Sequence, residues 1–137
     1  MNAIFFYGTL RDAGIRRCVF AESIGDDQII HAHAQGYDTM FYPGETYPVL
    51  VPAPGVVTMG HVLLNPSDEA LERMVFFEGS EYELADLPVT SVDGEAIQAR
   101  YNRACDSRLN FSEPWGYEKW RLTERDNFFE VTRLYMK

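Results

Sequence analysis

Short apolar runs separated by turn residues make up most of the chain, and their pattern predicts more strands than helices. The run Asn2–Leu10 is apolar and aromatic in its first half and breaks at Gly8, as expected for a buried strand that leads into a loop. The prolines of Tyr47–Pro52 limit that segment to the edge of a sheet. Alternation or β-rich composition predicts further strand segments at Gln28–Tyr37, Thr39–Tyr42, Val56–Leu64 and from Tyr82 onward.

Three other stretches have helical spacing. Arg11–Phe20 predicts a short helix with Asp12 as its N-cap. A second helix is predicted to start with Asn65 as N-cap, followed by a proline, and to end at Gly79. The tail from Trp115 to about Tyr135 fits a single amphipathic helix packed on the sheet. Its predicted sheet-facing residues are Trp120, Phe128, Val131 and Leu134.

Turn signals connect these elements and complete the predicted fold. Gly36 indicates a bulge, Pro54-Gly55 a turn, and Asp93-Gly94 a type I′ hairpin between two strands. Asn102–Pro114 has the composition of a loop. We therefore expect one mixed α+β domain over residues 1–137, in which a small curled antiparallel or mixed sheet surrounds the core and helices flank it.

Charge and composition narrow the possible partners. The 137 residues include 12 basic and 21 acidic side chains, a formal net charge of −9 that argues against nucleic acid or an anionic membrane as partner. An anionic substrate would need a locally positive or N–H-rich pocket. Cys18 and Cys105 lack metal-type or redox-type spacing and are expected to be free thiols. Without a signal peptide or an apolar run of membrane-spanning length, a cytoplasmic location is expected.

Two stretches carry candidate chemistry. Gly8 and Thr9 follow the first strand, where unpaired N–H groups can form a cradle for an anion or oxyanion, although an ordinary turn has the same sequence. Glu78 lies near a helix C-terminus beside bulky apolar residues. Desolvation and the helix dipole both disfavour its ionised form, which raises its pKa toward the range of a general acid/base. A solvated glutamate at a helix end is the simpler alternative.

Together these motifs resemble the gamma-glutamylcyclotransferase-like superfamily, including its avirulence-induced-gene-like branch. The strand-end motif is Tyr7-Gly8-Thr9-Leu10, and the acidic motif is Phe77-Glu78-Gly79 with Tyr82 shortly after it. The resemblance extends over nearly the whole chain. Its remaining elements are Tyr47–Pro52 followed by Gly60, and the C-terminal Trp115 and Trp120.

The resemblance implies a small mixed α/β barrel that binds a small gamma-glutamyl substrate without a metal or cofactor. The α-amine of the substrate attacks its own γ-carbonyl, and 5-oxoproline and an amine or amino acid are released. Carried over to this chain, Glu78 is the general base and then the general acid. The substrate-binding residues implied are Gly8, Thr9 and Leu10 through main-chain N–H groups, and Tyr7 and Tyr82 as pocket walls.

Two positions depart from the family pattern. Many members carry an aspartate where this chain has Val75, and a basic residue where it has Leu84. The orientation of the glutamate and the usual substrate are therefore open questions. A substrate carboxylate also favours a cation, for which Arg11, Arg16 and Arg17 beside the loop are candidates.

Alternative functions rest on other residues. His31 and His33 alternate on one strand, and His61 lies on another, so that three histidines could form a metal site if the strands pair suitably. Nucleophilic hydrolysis has less support, because Ser80 is not in a nucleophile-elbow motif and neither cysteine has a local basic partner. A non-catalytic ligand-binding or scaffold protein with the same fold is the main rival. Oligomeric state is left open.

Overall fold

A computed structural model describes residues 2–106 and 109–137. In chain order, one helix follows the first strand, a second helix lies between two strand pairs, and two more helices follow the last strand. The strands are β1 (Ala3–Phe6), β2 (Ile29–Phe41), β3 (Pro48–Leu64), β4 (Tyr82–Ser91) and β5 (Ala96–Ala104). The helices are α1 (Ala13–Phe20), α2 (Asp68–Glu78), α3 (Tyr117–Thr123) and α4 (Arg125–Tyr135).

The five strands close into a barrel in the order β1-β3-β2-β4-β5. Most neighbours are antiparallel, and β1 closes the barrel by pairing in parallel with β5 at Ile4 and Arg100. The prediction of a mixed α+β fold with a curled sheet and flanking helices is confirmed. No helix in the described ranges is long and apolar enough to cross a membrane.

Each of the two longest strands includes segments that the sequence predicts as separate elements. β2 contains both predicted pieces, and β3 runs through the predicted turn at Pro54-Gly55. Gly36 and Gly55 have φ of +85° and +86°, and the register of the pair shifts between Gln35 and Tyr37. The glycines therefore form a bulge inside one long strand pair, as predicted for Gly36 but not for Gly55.

The hairpin between β4 and β5 forms where Asp93-Gly94 predicts it, but its turn is not type I′. The Gly94 N–H donates to the Ser91 carbonyl at 2.9 Å, so Val92 and Asp93 are the central turn residues. A type I′ turn needs positive φ at both central residues, whereas only Gly94 has it, at +87°. The loop is a three-residue connection with a left-handed glycine after the turn.

β1 separates two cores, which explains why its sequence is continuously apolar. Ala3 and Phe5 point into the barrel, and Ile4 and Phe6 point outward to the helices. The outer core also includes buried residues from every helix region that packs on the barrel. Among them are Ile15, Val19, Phe20, Met74, Trp115 and Trp120.

Helix ends differ in part from the prediction. Asp12 caps α1 by accepting from the Ile15 N–H at 3.0 Å, as predicted. α2 is capped by Ser67, which accepts from the Ala70 N–H at 3.1 Å, whereas Asn65 adopts a left-handed φ of +49° before the helix. α2 thus begins at Asp68, after Ser67, and the proline that follows Asn65 lies outside the helix.

The C-terminal tail forms two helices instead of the single predicted one. They meet at Glu124, where φ is −117°. Trp120 is buried, but Val131 and Leu134 are each 59% exposed, because the break rotates the second helix. Thr132 is the buried residue of α4 in their place.

Close packing at Gly60 leads to a stability prediction. A Cβ at this position would collide with the Phe6 carbonyl oxygen and lie 2.8 Å from the Phe5 ring. We expect Gly60→Ala to lower the free energy of unfolding by about 1–3 kcal/mol, because the colliding atom is backbone and cannot rotate away. Urea unfolding measures this. Gly116→Ala is the matched control, since no neighbour lies within 4 Å of its added Cβ. Equal stability of both variants would contradict the prediction.

Candidate active site

A cavity of about 140 Å³ opens where β1 ends, between the following loop, the start of β3 and the end of α2. The structure brings every predicted site residue to this cavity, although they are far apart in the chain. The predicted residues that line it are Tyr7, Gly8, Thr9, Leu10, Glu78 and Tyr82. Aromatic side chains of the outer core form the rest of its apolar wall, among them Phe6, Phe77 and Phe128.

The loop after β1 presents main-chain N–H groups. Thr9–Arg11 forms a single 3₁₀ turn, in which the Arg11 and Asp12 N–H groups donate to the Gly8 and Thr9 carbonyls. Within the described residues, no hydrogen bond uses the N–H groups of Gly8, Thr9 or Leu10. These unused donors belong to three residues that line the cavity, as an anion or oxyanion cradle requires.

Close packing, and not a left-handed backbone, requires a glycine at position 8. Its φ is −126°, so the left-handed conformation is not used. A Cβ at Gly8 would lie 2.7 Å from Cγ of Pro48, at the start of β3. The glycine thus allows the start of β3 to pack closely against the loop that follows β1.

Glu78 is the last residue of α2, and Gly79 ends the helix with a φ of +73°. Its carboxyl lies in the cavity, where Nδ2 of Asn102 approaches Oε1 at 3.5 Å. Burial, and secondly the charge of Glu81, raise the pKa of Glu78 to about 8. A carboxyl with this pKa can both accept and return a proton near neutral pH.

Asn102 is a site residue that the sequence does not reveal. The sequence places it at the start of a loop, but it lies in β5, opposite Leu84. Its carbonyl accepts from the Tyr7 hydroxyl at 2.7 Å, and its amide approaches Glu78. Asn102 therefore connects the strand-end motif to the acidic motif, and only the pairing of β4 with β5 brings it there.

A second carboxylate, Glu81, and a further tyrosine, Tyr47, also line the cavity. The Tyr47 hydroxyl donates to Oε1 of Glu81 at 2.7 Å. The Tyr82 hydroxyl donates to the Pro48 carbonyl at 2.8 Å, which fixes that ring against β3. Tyr82 thus braces the pocket. The sequence analysis does not predict Glu81 as a site residue, and the only indication of its role there is its closeness to Glu78.

None of the three candidate arginines lines the cavity. Arg11 stacks over the Tyr117 ring at 4.2 Å, and Arg17 is exposed on α1. Nη1 of Arg16 donates to the Leu10 and Arg11 carbonyls at 2.9 and 2.7 Å. Arg16 therefore fixes the loop on the side away from the cavity, and none of the three candidate arginines supplies a cation to the cavity.

The two departures from the family pattern lie away from the cavity. Val75 is 54% exposed on α2, and Leu84 packs against the outer core. Neither side chain is among those that line the cavity. Neither side chain therefore contributes to the cavity wall around Glu78.

The histidines do not assemble a three-residue metal site. His31 and His61 are cross-strand partners with ring centroids 4.5 Å apart, but His33 pairs with Met59 instead. Burial, and then neighbouring Arg16, lower the pKa of His61 to about 4. In residues 2–106 and 109–137, no group of three or more His, Cys, Asp or Glu side chains could hold a metal ion.

Solved structures of other proteins share this barrel fold. One is a solution structure of an Arabidopsis thaliana protein, with a TM-score of 0.70 at 22% identity over 95% of this chain and 87% of that one. Another is described as "Gamma-glutamyl cyclotransferase", with a TM-score of 0.61 at 14% identity over 96% of this chain and 85% of that one. At these identities the likeness shows the fold.

Sequence comparison gives the family. The model described as "Gamma-glutamyl cyclotransferase, AIG2-like" matches residues 4–122, and the chain belongs to this family. Its relatives include AIG2-like protein A of Arabidopsis thaliana, 23% identical over all of this chain and 82% of that protein. AIG2-like protein D of the same plant is 25% identical over 97% of this chain and 88% of its own length. The resemblance that the motifs indicate is confirmed.

Proposed function

We propose that this protein is a gamma-glutamyl cyclotransferase that acts on a gamma-glutamyl amine or gamma-glutamyl amino acid. The observation that carries the proposal is the meeting of Glu78 with the unused N–H groups of Gly8, Thr9 and Leu10 in one cavity. A base and an oxyanion cradle are the two components that an intramolecular acyl transfer requires. Family membership supports the same reaction class.

Glu78 has two tasks in the proposed reaction. Ionised Glu78 takes a proton from the α-ammonium of the substrate, and the amine nitrogen then attacks the γ-carbonyl carbon. The carbonyl oxygen becomes negatively charged and is stabilised by N–H groups. When the oxygen re-forms its double bond, the bond to the leaving nitrogen breaks, and protonated Glu78 supplies that nitrogen with its proton. The ring nitrogen still carries two protons, so Glu78, ionised again, takes the second of them and passes it to the departing amine. The products are 5-oxoproline and a protonated amine, and Glu78 returns to its ionised form.

Main-chain donors of the loop after β1 can hold the anionic groups of the substrate. No Lys, Arg or His is among the described residues that line the cavity. We infer that the α-carboxylate of the substrate, like the developing oxyanion, is held by N–H groups of the Gly8–Leu10 loop. Because the attack is intramolecular, holding the substrate in a folded shape supplies much of the rate enhancement.

A panel of gamma-glutamyl amines and gamma-glutamyl amino acids tests the proposal. We expect the purified protein to release 5-oxoproline and amine in equal amounts from at least one member. Mass spectrometry quantifies both products. Binding of panel members without release from any of them would contradict the proposal and favour a non-catalytic ligand-binding protein of the same fold.

A further inference from the structure

The wall of the cavity that follows Glu78 combines a carboxylate with aromatic rings. Given the proposed cyclotransfer, on which this inference rests, we propose that Glu81 and Tyr47 bind a positively charged nitrogen on the leaving amine. The leaving group is then a diamine or polyamine and not an amino acid that carries a carboxylate. This assigns a specificity role to residues that do not take part in the proton transfer.

The position of Glu81 suits this role. The 3₁₀ turn Gly79–Glu81 follows α2 directly, so both carboxyl groups open on the same cavity. The charge of Glu81 acts on Glu78 strongly enough to be the second cause of its raised pKa. A leaving nitrogen protonated by Glu78 therefore has Glu81 close by, within reach of a substituent on that nitrogen.

Hydrogen bonds hold the Glu81 carboxylate in place. Tyr47 donates to Oε1 at 2.7 Å, and Tyr42 interacts with the same carboxylate. Burial first, and then the charge and hydrogen bonding of Glu81, raise the pKa of Tyr42. The Tyr47 hydroxyl is thus the donor that fixes Oε1 of Glu81. A carboxylate fixed in this way is ready to accept an ammonium group without reorganisation.

Aromatic faces complete the cation site. The rings of Tyr47 and Tyr82 line the cavity. The Tyr42 ring, which does not line it, packs against both, and the three ring centroids are 5.6 to 6.3 Å apart. Electron-rich ring faces attract an ammonium group, and the attraction strengthens as water is removed. The carboxylate and the rings are independent features, and both favour the same charge on the ligand.

The charges of the described lining residues disfavour the opposite choice, a carboxylate on the leaving group. Glu78 and Glu81 line the cavity, and the described lining residues include no basic side chain to offset them. A carboxylate on the leaving group would meet Glu81 at short range, whereas an ammonium group would be attracted. A bound cation would also offset the charge that raises the pKa of Glu78, and so favour its ionised form.

Three gamma-glutamyl amides of equal length separate the possibilities. Their leaving groups are linear diaminobutane, pentylamine and aminopentanoic acid, which end in an ammonium, a methyl and a carboxylate. Calorimetry measures their binding to the Glu78→Gln variant, which under the proposed function cannot turn them over. We expect the cationic amide to bind roughly tenfold more tightly than the neutral one, and the anionic amide to bind most weakly.

The further substitution Glu81→Gln should reduce the preference for the cationic over the neutral amide to less than about twofold. Glu83→Gln is the control, because Glu83 is exposed on β4 and pairs with Arg103 outside the cavity. It should retain the full preference. Equal binding of the three amides, a preference that survives Glu81→Gln, or no binding of the cationic amide would each overturn the inference.

Product release from the same amides by the native protein tests the cyclotransfer separately. A cation preference without 5-oxoproline would leave the binding site in place and contradict the proposed reaction. Release of 5-oxoproline with equal binding of all three amides would support the reaction and overturn the cation site.

Discussion

Replacing Glu78 with glutamine is expected to reduce 5-oxoproline release by about 10²–10⁴-fold, the usual contribution of a general acid/base. Glutamine preserves the size of the side chain and the approach of the Asn102 amide to an oxygen, but it cannot accept a proton from the α-ammonium. Binding of the substrate should persist, because the N–H groups of the Gly8–Leu10 loop are unchanged. Steady-state kinetics should therefore show the loss in kcat more than in KM.

Glu72→Gln is the matched control for this experiment. Glu72 lies on the same helix, α2, but is exposed and does not line the cavity. Its substitution should leave kcat within about twofold of the native value, since exposed surface changes have small effects. If Glu78→Gln retained native turnover, the assignment of the general base would be wrong.

The same substitution should stabilise the protein at high pH. Burial, and then Glu81, raise the pKa of Glu78 from 4.5 to about 8 in the folded state. Between these two pH values the folded chain binds more protons at Glu78 than the unfolded chain does. The free energy of unfolding of the native protein therefore falls as pH rises from 4.5 to about 8. Glu78→Gln has no such loss. Above pH 8 we expect it to exceed the native protein by at most about 5 kcal/mol.

Urea unfolding of both proteins across this pH range measures the difference. At about pH 4 the carboxyl is neutral in both states, and the two proteins should differ by less than about 1 kcal/mol. The gap should open as pH rises from 4.5 to about 8 and then stay constant. A gap that is independent of pH would show that Glu78 is solvated and has an ordinary pKa.

These two effects arise from one arrangement. Burial of an acid at a helix end costs stability, and the same burial gives the acid a pKa suited to proton transfer. Glu78 is thus a position where stability and the proposed activity oppose each other. Glu78→Gln is expected to raise the stability at high pH and to reduce 5-oxoproline release.

Local sequence predicts the strand-end loop and the candidate acid because each stands beside a backbone signal. Gly8 interrupts an apolar strand, and Gly79 ends an amphipathic helix directly after Glu78. Such breakers fix where the adjacent side chains lie relative to an element, independently of the rest of the fold. β1 is predicted for a similar reason, since its uninterrupted apolar run requires burial on both faces.

The remaining site residues depend on long-range pairing. Asn102 approaches Glu78 through the register of β5 with β4, and Tyr47 reaches Glu81 from the start of β3. Neither has a local pattern that distinguishes it from an ordinary loop or strand residue. The same limit applies to α4, where helical periodicity alone placed Val131 in the core, because a break at Glu124 was not visible in the sequence.

The most direct test of the central claim is to run the reaction in water enriched in oxygen-18 and to measure the mass of the released acid by mass spectrometry. Intramolecular attack by the α-amine expels the leaving amine without water, so the account predicts 5-oxoproline that carries no label, in amounts equal to the free amine. Labelled glutamate would instead show that water attacks the γ-carbonyl, and it would contradict cyclisation in the cavity of Glu78.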